Sequence, residues 1–221
     1  MAKSTQSAEE KQGNAGLAFL GDLMDVAEAA IATVFIFLMV FTFLLRPVTV
    51  DGHSMEPTLY NEDQLLILNP LYTPQNGDII VINDERGGHF ADDAETDIIE
   101  KDGLRNTDGS PLVLVKRLIA RGGQEIDIDP EHGTVAVDGK QLQESYIKDL
   151  TYSAGDAFTY PFRVPEGYLF VMGDNRPGST DSRFDPVGLI PEDEVIGTAI
   201  LRYGREKKLC KSWFDRFAWL F

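Results

Sequence analysis

Residues 29–45 read AAIATVFIFLMVFTFLL, seventeen positions without a charge. As a helix this run is about 25 Å long, at the short end of what crosses a bilayer. Val26 and Ala27 lengthen it on the amino side, where Glu28 interrupts. At the other end Arg46 can snorkel and Pro47 stops the helix. The core helix of a water-soluble domain is seldom so uniformly apolar. A cleavable leader fits worse: the run is long for one, Lys3 and Lys11 are outnumbered by acids ahead of it, and no Ala-x-Ala follows. The expectation is an uncleaved transmembrane anchor over 25–46, preceded by a polar, flexible segment at 1–24. The few flanking bases do not set its orientation.

After Pro47 the pattern changes. Short β-rich runs, bounded by turn residues, occupy 48–50, 64–68, 78–82, 112–120, 162–164, 167–172 and 195–203. Glu125-Ile126-Asp127-Ile128 alternates, Pro130-Glu131-His132-Gly133 turns, and Thr134-Val135-Ala136-Val137 returns, which predicts a hairpin. No long amphipathic helix interrupts them, so 47–204 is expected to be one all-β domain. Within it, 83–110 carries nine acids against three bases and reads as a solvated surface loop. The tail, 205–221, is basic at Lys207, Lys208, Lys211 and Arg216. Its apolar residues Trp213, Phe214, Phe217, Leu220 and Phe221 share one face of a helix, so a short amphipathic helix against the membrane surface is expected.

Composition narrows the chemistry. A formal net charge of −16 argues against duplex nucleic acid as a partner. Three histidines in unrelated contexts and one cysteine, Cys210, form no metal-ligand cluster, and nothing calls for a cofactor. Cys210 has no partner for an internal disulfide.

Two stretches carry reactive groups. In Asp51-Gly52-His53-Ser54-Met55-Glu56-Pro57-Thr58-Leu59, Ser54 is a candidate nucleophile that needs a base to take its proton. His53 is adjacent, but neighbouring side chains of an extended segment point to opposite faces, so it is a poor choice. His89 falls in the acidic segment and His132 in the hairpin turn. No Gly-x-Ser-x-Gly surrounds Ser54, and position 57 is Pro rather than Lys, so neither of those nucleophile patterns applies. The better base is Lys116, which interrupts the apolar run Leu112-Val113-Leu114-Val115-Lys116-Arg117-Leu118. Burial disfavours a charged amine and lowers its pKa from an ordinary value of about 10.4. A third stretch, Gly173-Asp174-Asn175-Arg176-Pro177-Gly178-Ser179-Thr180-Asp181-Ser182-Arg183, follows a strand and is dense in hydrogen-bonding groups. Its acids do not fall at calcium-loop positions.

In order along the chain, the anchor, Ser54-Met55-x-Pro57-Thr58-Leu59, Gly77-Asp78-Ile79-Ile80-Val81, Val115-Lys116-Arg117 and Gly173-Asp174-Asn175-Arg176 with Ser179 and Asp181-Ser182-Arg183 resemble bacterial type I signal peptidases. The resemblance covers most of 30–204. It implies a membrane-bound serine endopeptidase, with Ser54 as nucleophile and Lys116 as general base, that removes signal peptides from secretory preproteins. Ser179 would position the lysine, Asp181 and Arg183 would form a supporting ion pair, and Asp174, Asn175 and Arg176 a structural loop. Val48, Val50, Leu59, Leu114 and Val115 would line pockets selecting small residues, usually Ala, at −1 and −3. The amino terminus would be cytoplasmic and the catalytic domain extracytoplasmic.

Two departures bear on the site. Gly52 stands where some members carry an oxyanion-donating Ser, leaving that role to backbone N–H groups, chiefly that of Ser54. Arg121-Gly122-Gly123-Gln124 replaces the usual Pro-Gly-Asp turn. A self-cleaving Ser/Lys protease and an anchored, non-catalytic β domain are the rival readings. The anchor and the lack of a DNA-binding head disfavour the first; tolerance of Ser54→Ala and Lys116→Ala would mark the second.

Overall fold

The computed structural model describes residues 2–68, 72–91, 97–205, 209–210 and 212–220, with side chains from Gly21 onward except those of Phe43 and Trp213. The chain divides into two units, Met1–Leu44 and Leu45–Phe221.

The first unit is one helix, α1 (Ala2–Phe43). The segment expected to be a flexible lead-in is therefore helical from Ala2. The stretch Gly21–Thr42 is long and apolar enough to cross a membrane, and it buries none of its side chains in the protein. Such a surface is stable only in a non-aqueous medium. The helix ends three residues earlier than expected. Leu45 and Arg46 are already strand, and Pro47, which has no N–H to donate, sits in that strand at the sheet edge where the missing donor is tolerated.

The second unit is all β. Its strands are β1 (Leu45–Thr49), β2 (Gln64–Leu68), β3 (Ile79–Asp84), β4 (Arg86–Phe90), β5 (Ile98–Asp102), β6 (Leu112–Arg121), β7 (Glu125–Asp129), β8 (Thr134–Val137), β9 (Lys140–Gln141), β10 (Phe162–Arg163), β11 (Tyr168–Met172), β12 (Ile190–Pro191), β13 (Val195–Gly204) and β14 (Ala218–Trp219). The main sheet runs β1-β2-β13-β3-β6-β11-β12, with β14 also paired to β13. A second sheet runs β10-β7-β8-β9. The predicted hairpin is β7–β8, paired from Ile126↔Val137 to Asp129↔Thr134. A tight turn then leads into β9: Asp138 and Gly139 both take positive φ, 51° and 71°, the geometry a two-residue hairpin loop requires.

Alternation decides which side chains are buried. Ile126, Ile128, Val135 and Val137 face Phe162, Phe170 and Met172, and close an aromatic-rich core between the two sheets. On the main sheet, Leu65, Ile67, Ile79 and Val81 pack with Val50, Met55 and Leu59 from the segment after β1. Ile80, Ile82, Leu114 and Leu118 form a third cluster with Leu169, Val171 and Val187. Met55 and Leu59 are buried to 1% and 0% exposure, so the turn that carries Ser54 is anchored on both of its apolar ends.

Two expectations are corrected. Segment 83–110 is not an irregular loop over its described length: β4 and β5 pair from Arg86↔Asp102 to Phe90↔Ile98. Arg86 bridges Glu100, Asp193 and Glu194, which gives this acidic stretch a reason to order. His89, read as part of a solvated loop, is buried and stacks against Phe158. In the described part of the tail the 3-10 turn Trp213–Arg216 leads into β14, whose Ala218 and Trp219 pair with Arg202 and Leu201. The available strand edge of β13 outweighs a helical periodicity too short to nucleate on its own. Lys207, Lys208, Lys211 and Phe221 lie outside the described residues.

Candidate active site

Ser54 is held by its neighbours' main chain. Its carbonyl accepts the N–H of Asn175 (2.9 Å), and the carbonyl of His53 accepts Asn175 Nδ2 (3.0 Å). Gly52 N–H donates to Asn61 Oδ1 (2.8 Å), and the turn closes with Leu59 N–H to Met55 C=O (2.9 Å). Among the described residues nothing accepts a hydrogen bond from the Ser54 N–H.

Lys116 arrives from β6, in register with Ile80 of β3. Its Nζ lies 2.9 Å from Ser54 Oγ, and the residue is 3% exposed. Burial pushes the amine well below its ordinary value; the carboxylates of Asp181 and Asp84 pull it back up, and Arg183 opposes them. Desolvation is the largest of these influences, so the neutral form is favoured. The His53 imidazole is exposed and bonds Glu56 Oε1 (2.7 Å) rather than Ser54.

The loop after β11 supplies the frame. Asp174 takes Arg117 in a two-pronged pair, Nε to Oδ1 at 2.8 Å and Nη2 to Oδ2 at 2.6 Å, and also accepts Thr58 Oγ1 at 2.5 Å. That one carboxylate therefore ties the strand carrying Lys116 to the turn carrying Ser54. Arg117 also donates to the Gly77 carbonyl and stacks on the Tyr146 ring. Arg176 pairs with Glu144 and donates to Thr151. Arg183 binds Asp181 at 2.8 and 2.9 Å, and Asp181 accepts the Gly173 N–H (2.9 Å). Gly173 has no room for a side chain: a Cβ there would lie 2.3 Å from Ser179 Oγ and 2.5 Å from the Ser54 carbonyl. Ser179 is thus beside the Ser54 main chain. Its hydroxyl is buried and makes no hydrogen bond among the described residues, Lys116 included.

A cleft of about 290 Å³ opens over the pair, lined by residues 48–51, Ser54, Asn106 and 112–116. Val48, Val50, Leu114 and Val115 lie there as expected. Leu59 does not; it is buried with Met55 and Val50 beneath the Ser54 turn. Strand pairing leaves the cleft two open edges. β11 covers β6 only from Arg121 to Arg117, and the outer edge of β1 has no partner among the described strands. The N–H and C=O of Leu118 both bond the β3 side, so by the period of two those of Val113 and Val115 face the open edge. An extended peptide can pair there as an added strand.

Arg117, Thr58, Glu144, Tyr146 and Asn106 were not assigned roles from the sequence. Their side-chain partners lie 29 to 116 positions away, apart from Tyr146 with Glu144 and Asn106 with Ser110 and Pro111. The described residues contain no group of acids, histidines or cysteines able to hold a metal.

Comparison with known proteins places the chain. Residues 23–204 match the family model described as signal peptidase, peptidase S26. Signal peptidase I T of Bacillus subtilis is 31% identical over 185 residues, covering 80% of this chain and 82% of the relative. Signal peptidase I of Bacillus amyloliquefaciens is 32% identical over 182 residues, covering 78% and 80%. A probable signal peptidase I-1 of Synechocystis is 34% identical over 167 residues, covering 73% and 72%. The chain belongs to the signal peptidase family, peptidase S26.

Proposed function

We propose that Ser54 and Lys116 form the catalytic pair of a signal peptidase I that cuts secretory preproteins after small residues. The observation that carries this reading is the 2.9 Å approach of a buried, deprotonation-prone lysine to an anchored serine hydroxyl at the end of an open strand-edged cleft. The function itself, removal of signal peptides by a serine peptidase, is that of the family to which the chain belongs.

Neutral Lys116 Nζ takes the hydroxyl proton as Ser54 Oγ bonds the scissile carbonyl carbon. The resulting oxyanion rests on backbone donors, the unclaimed Ser54 N–H first among them. Lys116 then returns the proton to the departing amine as the C–N bond breaks, leaving an acyl ester on Ser54. A water gives its proton to Lys116 and attacks the ester; the Ser54 alkoxide leaves and recovers the proton. No cofactor enters the balance.

Sequestration by α1 gives the reaction its place. A signal peptide is itself held in the bilayer, and anchoring enzyme and substrate to one surface raises their effective concentration. The catalytic domain faces the extracytoplasmic side in this reading; full protection of the domain from external protease on intact cells would refute that sidedness.

The decisive test is cleavage of an Ala-x-Ala preprotein in detergent micelles by wild type, Ser54→Ala and Lys116→Ala. Only the wild type should cut, after the −1 alanine, and its rate should rise with pH through the depressed pKa of Lys116. A Lys116→Ala enzyme that cuts at the wild-type rate, or a wild-type rate flat from pH 6 to 10, would remove the lysine from its role.

A further inference from the structure

The cleft has a wall that neither of its bordering strands supplies. Asn106 lines it, and Asn106 belongs to the acidic segment between β5 and β6. The turn that presents it is firmly built. Leu104 N–H donates to the buried Asp84 Oδ2 (2.8 Å), and Leu112 N–H to the Leu104 carbonyl (2.8 Å). Asn106 N–H donates to the Ser110 carbonyl (2.8 Å), while its Nδ2 donates to Ser110 Oγ (3.1 Å) and the Pro111 carbonyl (3.0 Å). Both side-chain donor bonds are thus spent inside the turn. Its Oδ1 accepts no hydrogen bond among the described residues, which leaves an acceptor oxygen on a fixed side chain at the cleft wall.

The direction of the cleft fixes what meets that oxygen. The β6 edge is closed by β11 at Arg117, so an added strand that reacts beside Lys116 runs from there toward Leu112. Four residues at about 3.3 Å each put Leu112 roughly 13 Å from the reacting carbonyl. With −1 and −3 seated against residues 113–115, the turn at Asn106 meets the substrate near −5.

Resting on the peptidase reading above, we propose that the turn around Asn106 is a further substrate subsite, in which Asn106 Oδ1 accepts the main-chain N–H of the preprotein near −5. The ligand is an extended peptide, recognised by its backbone and so tolerant of sequence at that position. Asn106 acts here as a specificity-determining residue for segment length and extension, not on the reacting atoms.

The test compares two peptides identical from −4 to +3, one acetylated at −4 and one extended to −8, together with an extended peptide whose −5 amide N–H is replaced by an ester oxygen. Wild type should show kcat/KM about fivefold higher for the extended peptide than for the short one, with the gain in KM, and should lose that gain with the ester. In Asn106→Leu the extended-to-short ratio should fall to near one, and the ester should make no further difference. Ser110→Ala, which removes one of the two acceptors of Asn106 Nδ2 and leaves Oδ1 in place, should lower the ratio without abolishing it. An extended-to-short ratio of one in wild type, or equal sensitivity of wild type and Asn106→Leu to the ester, overturns the subsite. A wild type that cleaves none of the peptides refutes the peptidase reading instead.

Discussion

The loop 173–183, which holds the Ser54 main chain, and the segment 85–111, which lends Asn106 to the cleft, use charge in opposite ways. In the first, Asp174, Asp181, Arg176 and Arg183 are all buried and each is paired, with Arg117 and Glu144 completing the set. In the second, Arg86 gathers Glu100, Asp193 and Glu194, Lys101 meets Asp185, and Arg105 meets Asp102, with one or both partners well exposed in every case. Water and salt screen the second set, so each of its pairs contributes little alone. The first set has no water to fall back on. Its geometry is enforced by the penalty of leaving any member unpaired, which suits it to hold a serine and a lysine at a fixed distance. Catalytic spacing belongs to the buried frame, and substrate reach to the solvated wall.

Removing a member of the buried frame gives the largest expected effect. Asp174→Ala strands the Arg117 guanidinium and the Thr58 hydroxyl together, and should destabilise the domain by about 3–5 kcal/mol. Thermal unfolding in detergent micelles reads this directly. A loss below about 1 kcal/mol would break the contrast between the two regions.

Asp84 sharpens the contrast, since it sits at the boundary. It is buried on β3 at the root of the second segment, with Oδ1 unpartnered, and burial with help from Glu194 raises its carboxyl from 3.8 to about 6. Lys116, Arg105 and the Leu104 N–H act in the opposite direction. Because the folded-state value is the higher one, the native state holds this proton more tightly than the unfolded chain. Its stabilising contribution is therefore full below about pH 4 and lost as pH rises past about 6. Asp84→Asn stays neutral throughout, so wild type should lose up to about 3 kcal/mol relative to it between pH 4 and 7. Parallel stability profiles for the two proteins would show that Asp84 is not the boundary group.

Gly173→Ala probes the frame without touching a charge. The new methyl would meet Ser179 Oγ and the Ser54 carbonyl, an overpacking of about 1–3 kcal/mol. Because one of the atoms it displaces is the carbonyl of the nucleophile's own residue, kcat should drop at least tenfold while the fold survives. A variant with wild-type kcat would mean that the Ser54 main chain tolerates movement.

Much of this division was legible in the chain itself. Lys116 stood out by interrupting an apolar run, and Ser54 stood out as a hydroxyl that needs a base. The β7–β8 hairpin followed from alternation and turn chemistry alone. What did not follow was register. That Arg117 meets Asp174 and that Thr58 joins them depends on strand pairing across 57 and 116 positions, which local pattern does not encode. Leu59 was placed in the cleft for the same reason, since its face depends on how the turn rolls onto the sheet. The acidic segment misled through composition: nine acids suggest a solvated loop, yet β4 pairs with β5, and Arg86 on β4 reaches Glu100 on β5. The tail misled through periodicity, because its helical face competed with an unoccupied stretch of β13.

The smallest effect is expected at the residue that sits beside the nucleophile. The His53 imidazole is exposed and bonds only Glu56, and Glu56 keeps a second partner in Lys148 at 3.1 Å. Such a surface pair is worth between 0 and about 1 kcal/mol. What the site takes from position 53 is the carbonyl that accepts Asn175 Nδ2, and any residue supplies a carbonyl. His53→Ala should therefore leave kcat/KM within about twofold of wild type and leave the shape of its pH profile unaltered, whereas Asn175→Ala, which removes the donor to that carbonyl, should lower kcat well beyond this. If His53→Ala instead lowered kcat tenfold, the imidazole would be sharing the proton with Lys116, and the division between buried frame and solvated wall would fail at its nearest point to the chemistry.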